Sequence, residues 1–139
     1  MKVFISFLII SFSFFGFIKS SNSGGIKFRR LSFEEAKKES IKTGKIIFID
    51  VHTSWCGPCK KMAATSFQDP KLAEIYNDKF INLKIDAEKS EEGVEIANNY
   101  RVQGYPTLLY INGDGRLVKS LSGFQTADKL ISVANSIEN

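Results

Sequence analysis

The stretch from Ile46 to Val51 constrains this chain more than any other. Ile46-Ile47-Phe48-Ile49-Asp50-Val51 is apolar at every position except one Asp. Side chains of a strand point alternately to its two faces, so an apolar run without alternation is a strand covered on both sides. The run leads through His52-Thr53-Ser54 directly into Trp55-Cys56-Gly57-Pro58-Cys59-Lys60. Pro58 is placed to be the first residue of a helix, because its fixed φ suits a helix start and its missing N–H is not needed there. Two cysteines are therefore expected at a strand-to-helix junction.

The rest of the chain supplies the layers that such a strand needs. Ser32 with Glu35 forms a capping box for a helix that Gly44 can end, with Phe33, Ala36 and Ile41 on its inner side. Asp69-Pro70 restarts the helix after the cysteines, with Leu72, Ile75 and Tyr76 facing inward. Phe80 to Asp86 is a second strand, and Glu91 to Tyr100 a short helix carrying Val94 and Ile96-Ala97. Thr107–Ile111 and Leu117–Leu121 are strands joined by Asn112-Gly113-Asp114-Gly115, a strong hairpin signal. A last helix from Thr126 to Ile137 places Leu130, Val133, Ala134 and Ile137 on one face. Strands and helices alternate first, and a hairpin and a helix close the chain. That order gives an α/β fold, a central mixed β-sheet flanked by helices on both faces. With 139 residues there is room for one such domain.

Residues 1–23 read as an export signal, leaving 24–139 as the folded domain. Lys2 is a short positive start, and Val3 to Ile18 is apolar apart from Ser6, Ser11, Ser13 and Gly16. Ser20, Ser21 and Ser23 suit a cleavage site. The run is short for a membrane span, which needs roughly 20 residues, although an uncleaved N-terminal anchor is the alternative. Loss of Lys2 and Lys19 lowers the formal charge from +4 to +2. No basic stripe with interleaved aromatics is present, so nucleic acid is not an expected partner.

Export implies a periplasmic or secreted location, where disulfides persist. A bridge across three positions is a poor structural staple. In the chain-entropy model it gains about 2 kcal/mol, against about 4.7 for a hundred-residue loop. It is a good redox centre. The partial positive charge at a helix N-terminus stabilises a Cys56 thiolate, which attacks a substrate disulfide. Cys59, one turn along, then attacks Cys56 sulfur and releases reduced substrate. Cys56 should be the exposed thiol of the two. A closed zinc site needs four ligands, and His52 is the one further candidate, so no metal is expected.

Phe48 to Lys60 resembles the active-site segment of the thioredoxin family. Gly104-Tyr105-Pro106-Thr107 is similar to that family's cis-proline loop, and Leu121-Ser122-Gly123 to the loop completing its substrate groove. The resemblance covers roughly Phe28 to the C-terminus. The added stretch Thr65 to Pro70 is closer to exported thioredoxin-like proteins and to the C-terminal domain of the transmembrane disulfide reductase. The resemblance implies a thioredoxin fold and a thiol–disulfide oxidoreductase, most of all a reductase of protein disulfides. It makes Asp50 a buried carboxylate that shuttles a proton for Cys59, and Pro106 a cis-proline lying against the cysteines. Trp55, Gly57, Pro58, Tyr105 and Gly123 become substrate contacts, with the Tyr105 backbone pairing with an extended substrate strand. Protein disulfides are the implied substrates and a membrane electron carrier the implied donor. No cofactor is expected, and the protein should be a monomer.

Two positions depart from the family pattern. His52 stands where cytosolic thioredoxins usually have Trp. Asn82 stands where they have a Lys near the buried acid, which leaves the Asp50 pKa to be set by burial. Gly57-Pro58 is typical of the reducing members. An oxidase or isomerase, and a thioredoxin-fold module that only binds, are the competing readings.

Overall fold

The computed structural model describes residues 24–138. The export segment assigned to residues 1–23 lies outside the described residues. Five helices and four strands follow in order: α1 (Phe33–Thr43), β1 (Ile46–His52), α2 (Gly57–Ala64), α3 (Pro70–Lys79), β2 (Phe80–Asp86), α4 (Glu91–Asn99), β3 (Thr107–Ile111), β4 (Leu117–Ser122) and α5 (Ala127–Ser136). A single 3-10 turn, Ser66–Gln68, separates α2 from α3. No helix among the described residues is long and apolar enough to cross a membrane.

The sheet has the order β2-β1-β3-β4. β1 runs parallel to β2 and antiparallel to β3, and β3 is antiparallel to β4. The unbroken apolar run thus occupies an inner position, and alternation along it divides the core in two. Ile46 and Phe48 join Met62, Leu72, Tyr76, Leu130 and Val133 on the face covered by α2, α3 and α5. Ile47, Ile49 and Val51 join Ala36 and Ile96 on the face covered by α1 and α4. Phe48 anchors the first layer, its ring meeting those of Phe28, Phe67, Tyr76, Phe80 and Tyr110. The two buried tyrosines satisfy each other: Tyr76 Oη lies 2.6 Å from Tyr110 Oη and donates to the Leu130 carbonyl at 3.0 Å.

Local signals set the ends of these elements. Ser32 and Glu35 form the reciprocal capping box, and Gly44 closes α1 at φ 76°, in the left-handed region where glycine carries no Cβ penalty. Asp69 caps α3, whose first residue is Pro70. The hairpin between β3 and β4 closes with Asn112 N–H donating to Arg116 O at 3.1 Å. Two expectations need correction. Helix α2 begins at Gly57, so Pro58 is its second residue and Cys56 its cap. Ile41 does not lie on the inner side of α1: it is exposed, and α1 buries Ala36 and Ser40.

Candidate active site

Cys56 closes the N-terminus of α2 with its own side chain. Its Sγ accepts the backbone N–H of Cys59 at 3.1 Å, and Cys56 and Cys59 are joined in a disulfide. No acidic residue occupies the first turn of α2, so nothing there opposes a negative sulfur. Both cysteines are buried, with 3% and 4% of their surface exposed. The expectation of an exposed Cys56 is therefore corrected for the disulfide form. The exposed group is Trp55, at 64%.

Trp55 ties the cysteines to a second loop. Its indole N–H donates to Glu88 Oε2 at 2.9 Å, and its ring stands edge-on to Tyr105, with centroids 5.9 Å apart. The Tyr105–Pro106 peptide is cis. Pro106 O accepts the Gly123 N–H at 2.8 Å, which joins this loop to the end of β4. Gly123 sits at φ 80°, a conformation that side chains other than glycine's strain to adopt. The next residues are held to the helix side: Gln125 N–H meets Met62 Sδ at 3.3 Å and Gln125 O accepts from Ser66 Oγ at 2.7 Å. The structure thus brings Trp55, Cys56, Tyr105, Pro106 and Gly123 to one end of the sheet.

A profile of the thioredoxin-like domain matches residues 33–138. The chain belongs to the thioredoxin-like family. Thioredoxin-1 of Drosophila melanogaster is 38% identical to it over 81 residues, which are 58% of this chain and 70% of that one. A solved structure described as a candidate disulphide-isomerase from Bacteroides thetaiotaomicron is 42% identical and superposes with TM-score 0.71, covering 84% of this chain and 98% of that one. The oxidised C-terminal domain of DsbD from Neisseria meningitidis shares the fold at 23% identity and TM-score 0.66, covering 81% of this chain and 99% of that one. With its Cys56–Cys59 disulfide, this thioredoxin-like protein is a thiol–disulfide oxidoreductase acting on proteins.

Six residues before Cys56, the thioredoxin-like domain carries the one buried carboxylate among the described residues. Asp50 is fully buried, and neither of its oxygens has a hydrogen-bond partner among the described residues. Burial pushes its pKa above the ordinary Asp value; Lys84 and then His52 pull it part of the way back. Lys84 is its neighbour in the parallel ladder, with Nζ 3.7 Å from Asp50 Oδ2. The carboxylate keeps a cation despite Asn82, while burial remains the largest influence on its pKa, as expected. Asn82 is buried two residues away and donates to Tyr76 O at 3.1 Å and Asn77 Oδ1 at 3.4 Å.

Cys59, His52 and Lys84 line one pocket of about 220 Å3. It connects Cys59 with the cation beside Asp50. Glu88 and Lys84 are the two site residues that sequence reasoning missed. Among the described residues, no group of three or more His, Cys, Asp or Glu comes together to hold a metal ion.

Proposed function

We propose that the protein is an exported reductase of protein disulfides, with Cys56 as nucleophile and Cys59 as resolving thiol. The observation that carries the assignment of roles is the Cys59 N–H donated to Cys56 Sγ at the helix cap. It favours negative charge on Cys56 and none on Cys59. Cys56 thiolate attacks a substrate disulfide and forms a mixed disulfide, releasing the first substrate thiolate. Cys59 then attacks Cys56 Sγ, regenerating the Cys56–Cys59 disulfide and releasing the second substrate sulfur. Two electrons pass from the dithiol to the substrate. Asp50 accepts the Cys59 proton in the second step. The backbone of Tyr105, beside Pro106 and Gly123, pairs with an extended substrate segment, and Trp55, Gly57 and Pro58 form the opposite side of that groove.

Direction follows from what holds the thiolate. A strong oxidant of this kind owes its strength to a stabilised reduced form. Here the residue before Cys59 is Pro58, which offers neither a charge nor an N–H, so the helix terminus acts alone. That supports a reducing centre, recharged by an electron carrier in the membrane. The likeness to the protein described as a candidate disulphide-isomerase favours a second reading, isomerisation. Equilibration of the Cys56–Cys59 pair with glutathione buffers decides between them. A reductase should poise near about −270 mV, as thioredoxin does; a potential at or above about −180 mV, that of protein disulfide isomerase, overturns the reductase reading.

A further inference from the structure

A buried proton acceptor must pass its proton on, or it serves once. Asp50 has no exposed oxygen and does not itself line the neighbouring pocket, but Lys84, 3.7 Å from it, does, together with Cys59 and His52. β1 runs to His52, and residues two apart on a strand share a face, so His52 follows Asp50 on the α2 side of the sheet. His52 lines the pocket with Cys59, Lys60, Lys84 and Thr53, whose hydroxyl is buried and lacks a partner among the described residues. At about 220 Å3 the pocket has room for several water molecules, each of which takes about 30 Å3 in the liquid. His52 is the one histidine in the chain, and histidine is the side chain whose charge ordinarily changes near neutral pH.

We propose that His52, which shares this pocket with Cys59 and Lys84, is a positioning residue for the resolving step, the charge on its imidazole setting the pH at which Asp50 can take the Cys59 proton. The inference rests on the role of Asp50 proposed above. In the step, the Cys59 thiol proton passes to the Asp50 carboxylate while the sulfur's electron pair forms the bond to Cys56 Sγ. The substrate sulfur leaves with the electrons of the broken bond. Asp50 then gives this proton up to solvent before the next turnover. The effect of His52 on Asp50 has the right sign, since a charged imidazole favours the ionised carboxylate. The other charges facing His52 are Lys84 and Asp86 on β2 and Lys60 on α2. Asp86 is the ladder partner of His52 and also meets Lys89, with Oδ2 and Nζ 3.8 Å apart.

Two residues apart on one strand face, the groups are separated by roughly 7 Å. Unit charges at that distance change each other's proton affinity at least about threefold, or about half a pH unit. The carboxyl carbon of Asp50 should be titrated by NMR in the oxidised protein, where no thiol interferes, for the natural chain, His52→Gln and His52→Lys. The midpoint should be highest with Gln, intermediate with His and lowest with Lys; His52→Arg replaces the Lys variant if that one does not fold. The acid limb of the resolving rate in the reduced protein should move in the same order. A His52 that only packs would change stability without ordering these midpoints by charge. Coincident midpoints for the natural chain and His52→Gln overturn the proposal. Asp50→Asn separates the two levels: if it abolishes the acid limb while the His52 series leaves the limb unmoved, this inference alone fails. If the limb survives Asp50→Asn, the role of Asp50 itself fails.

Discussion

Replacing Asp50 with Asn keeps the shape of a fully buried side chain and removes its ionisation. The consequence is a stability difference that depends on pH in a calculable way. Burial raises the Asp50 pKa in the folded protein, and the opposing pull of Lys84 and His52 does not cancel it. The folded state therefore holds this proton more tightly than the unfolded chain, where an Asp titrates near about 3.9. Below that pH both states are protonated and the carboxyl costs nothing. Between the unfolded and folded midpoints the unfolded chain has released the proton and the folded protein has not. Stability falls there by about 1.4 kcal/mol for each pH unit, the slope of one proton. Above the folded midpoint both states are ionised and the loss stays constant. That plateau expresses a carboxylate without hydrogen bonds, whose cation lies 3.7 Å away and is itself about a third exposed. Asp50→Asn has no such slope. The variant should gain on the natural protein by about 1.4 kcal/mol per pH unit across the window, then run parallel to it. The new amide shifts the whole curve by a constant through the partners it finds, so the slope is diagnostic and the offset is not. Urea denaturation of the oxidised protein at half-unit steps from about pH 4 to 9 measures it, since the disulfide removes both thiols from the titration. A difference that is flat with pH, or that grows toward acid, would refute the raised proton affinity and with it the case for Asp50 as a proton acceptor.

Other substitutions test the neighbouring assignments. Lys84→Met removes the cation beside Asp50 and should raise that carboxyl's pKa further, extending the falling limb to higher pH. Because Lys84 is partly exposed, the extra loss at pH 8 should be about 0.2–1 kcal/mol, and an unchanged limb would show that Lys84 does not act on the ionisation of Asp50. Cys59→Ser should leave Cys56 joined to substrates as mixed disulfides that survive non-reducing electrophoresis, because the resolving thiol is gone. Trapping by Cys56→Ser alone would reverse the order of attack.

What was legible in the sequence was local, and what was not depended on pairing at a distance. The run Ile46 to Val51 announced an inner strand because no partly exposed strand can carry apolar residues on both faces. Ser32 with Glu35 and Asp69 with Pro70 announced helix starts because a cap and its helix are contiguous. The start of α2 was misplaced by one residue for a related reason: Cys56 caps the helix with sulfur, and the usual oxygen-bearing caps gave no hint of it. Ile41 falls at a helical spacing from Phe33, but which face of α1 meets the sheet is decided by the crossing of the two elements. Glu88, 33 residues from the Trp55 it holds, lies in a turn with no spacing that could mark it. Lys84 is different, because a signal was present. Ile46 to Val51 and Phe80 to Ile85 are two apolar runs, and each contains one ionisable residue, Asp50 in the first and Lys84 in the second. A buried charge is costly unless paired, and the two are of opposite sign. Setting them side by side in a parallel ladder places Ile46 opposite Phe80, which is the observed register. Slipping the strands by two residues would keep every side chain on its face and put Asn82 or Asp86 beside Asp50. The hydrophobic pattern alone tolerates that slip; an uncompensated or doubled negative charge does not. The charge proposed to serve the chemistry of Cys59 thus also fixes how the two strands that carry the pair align.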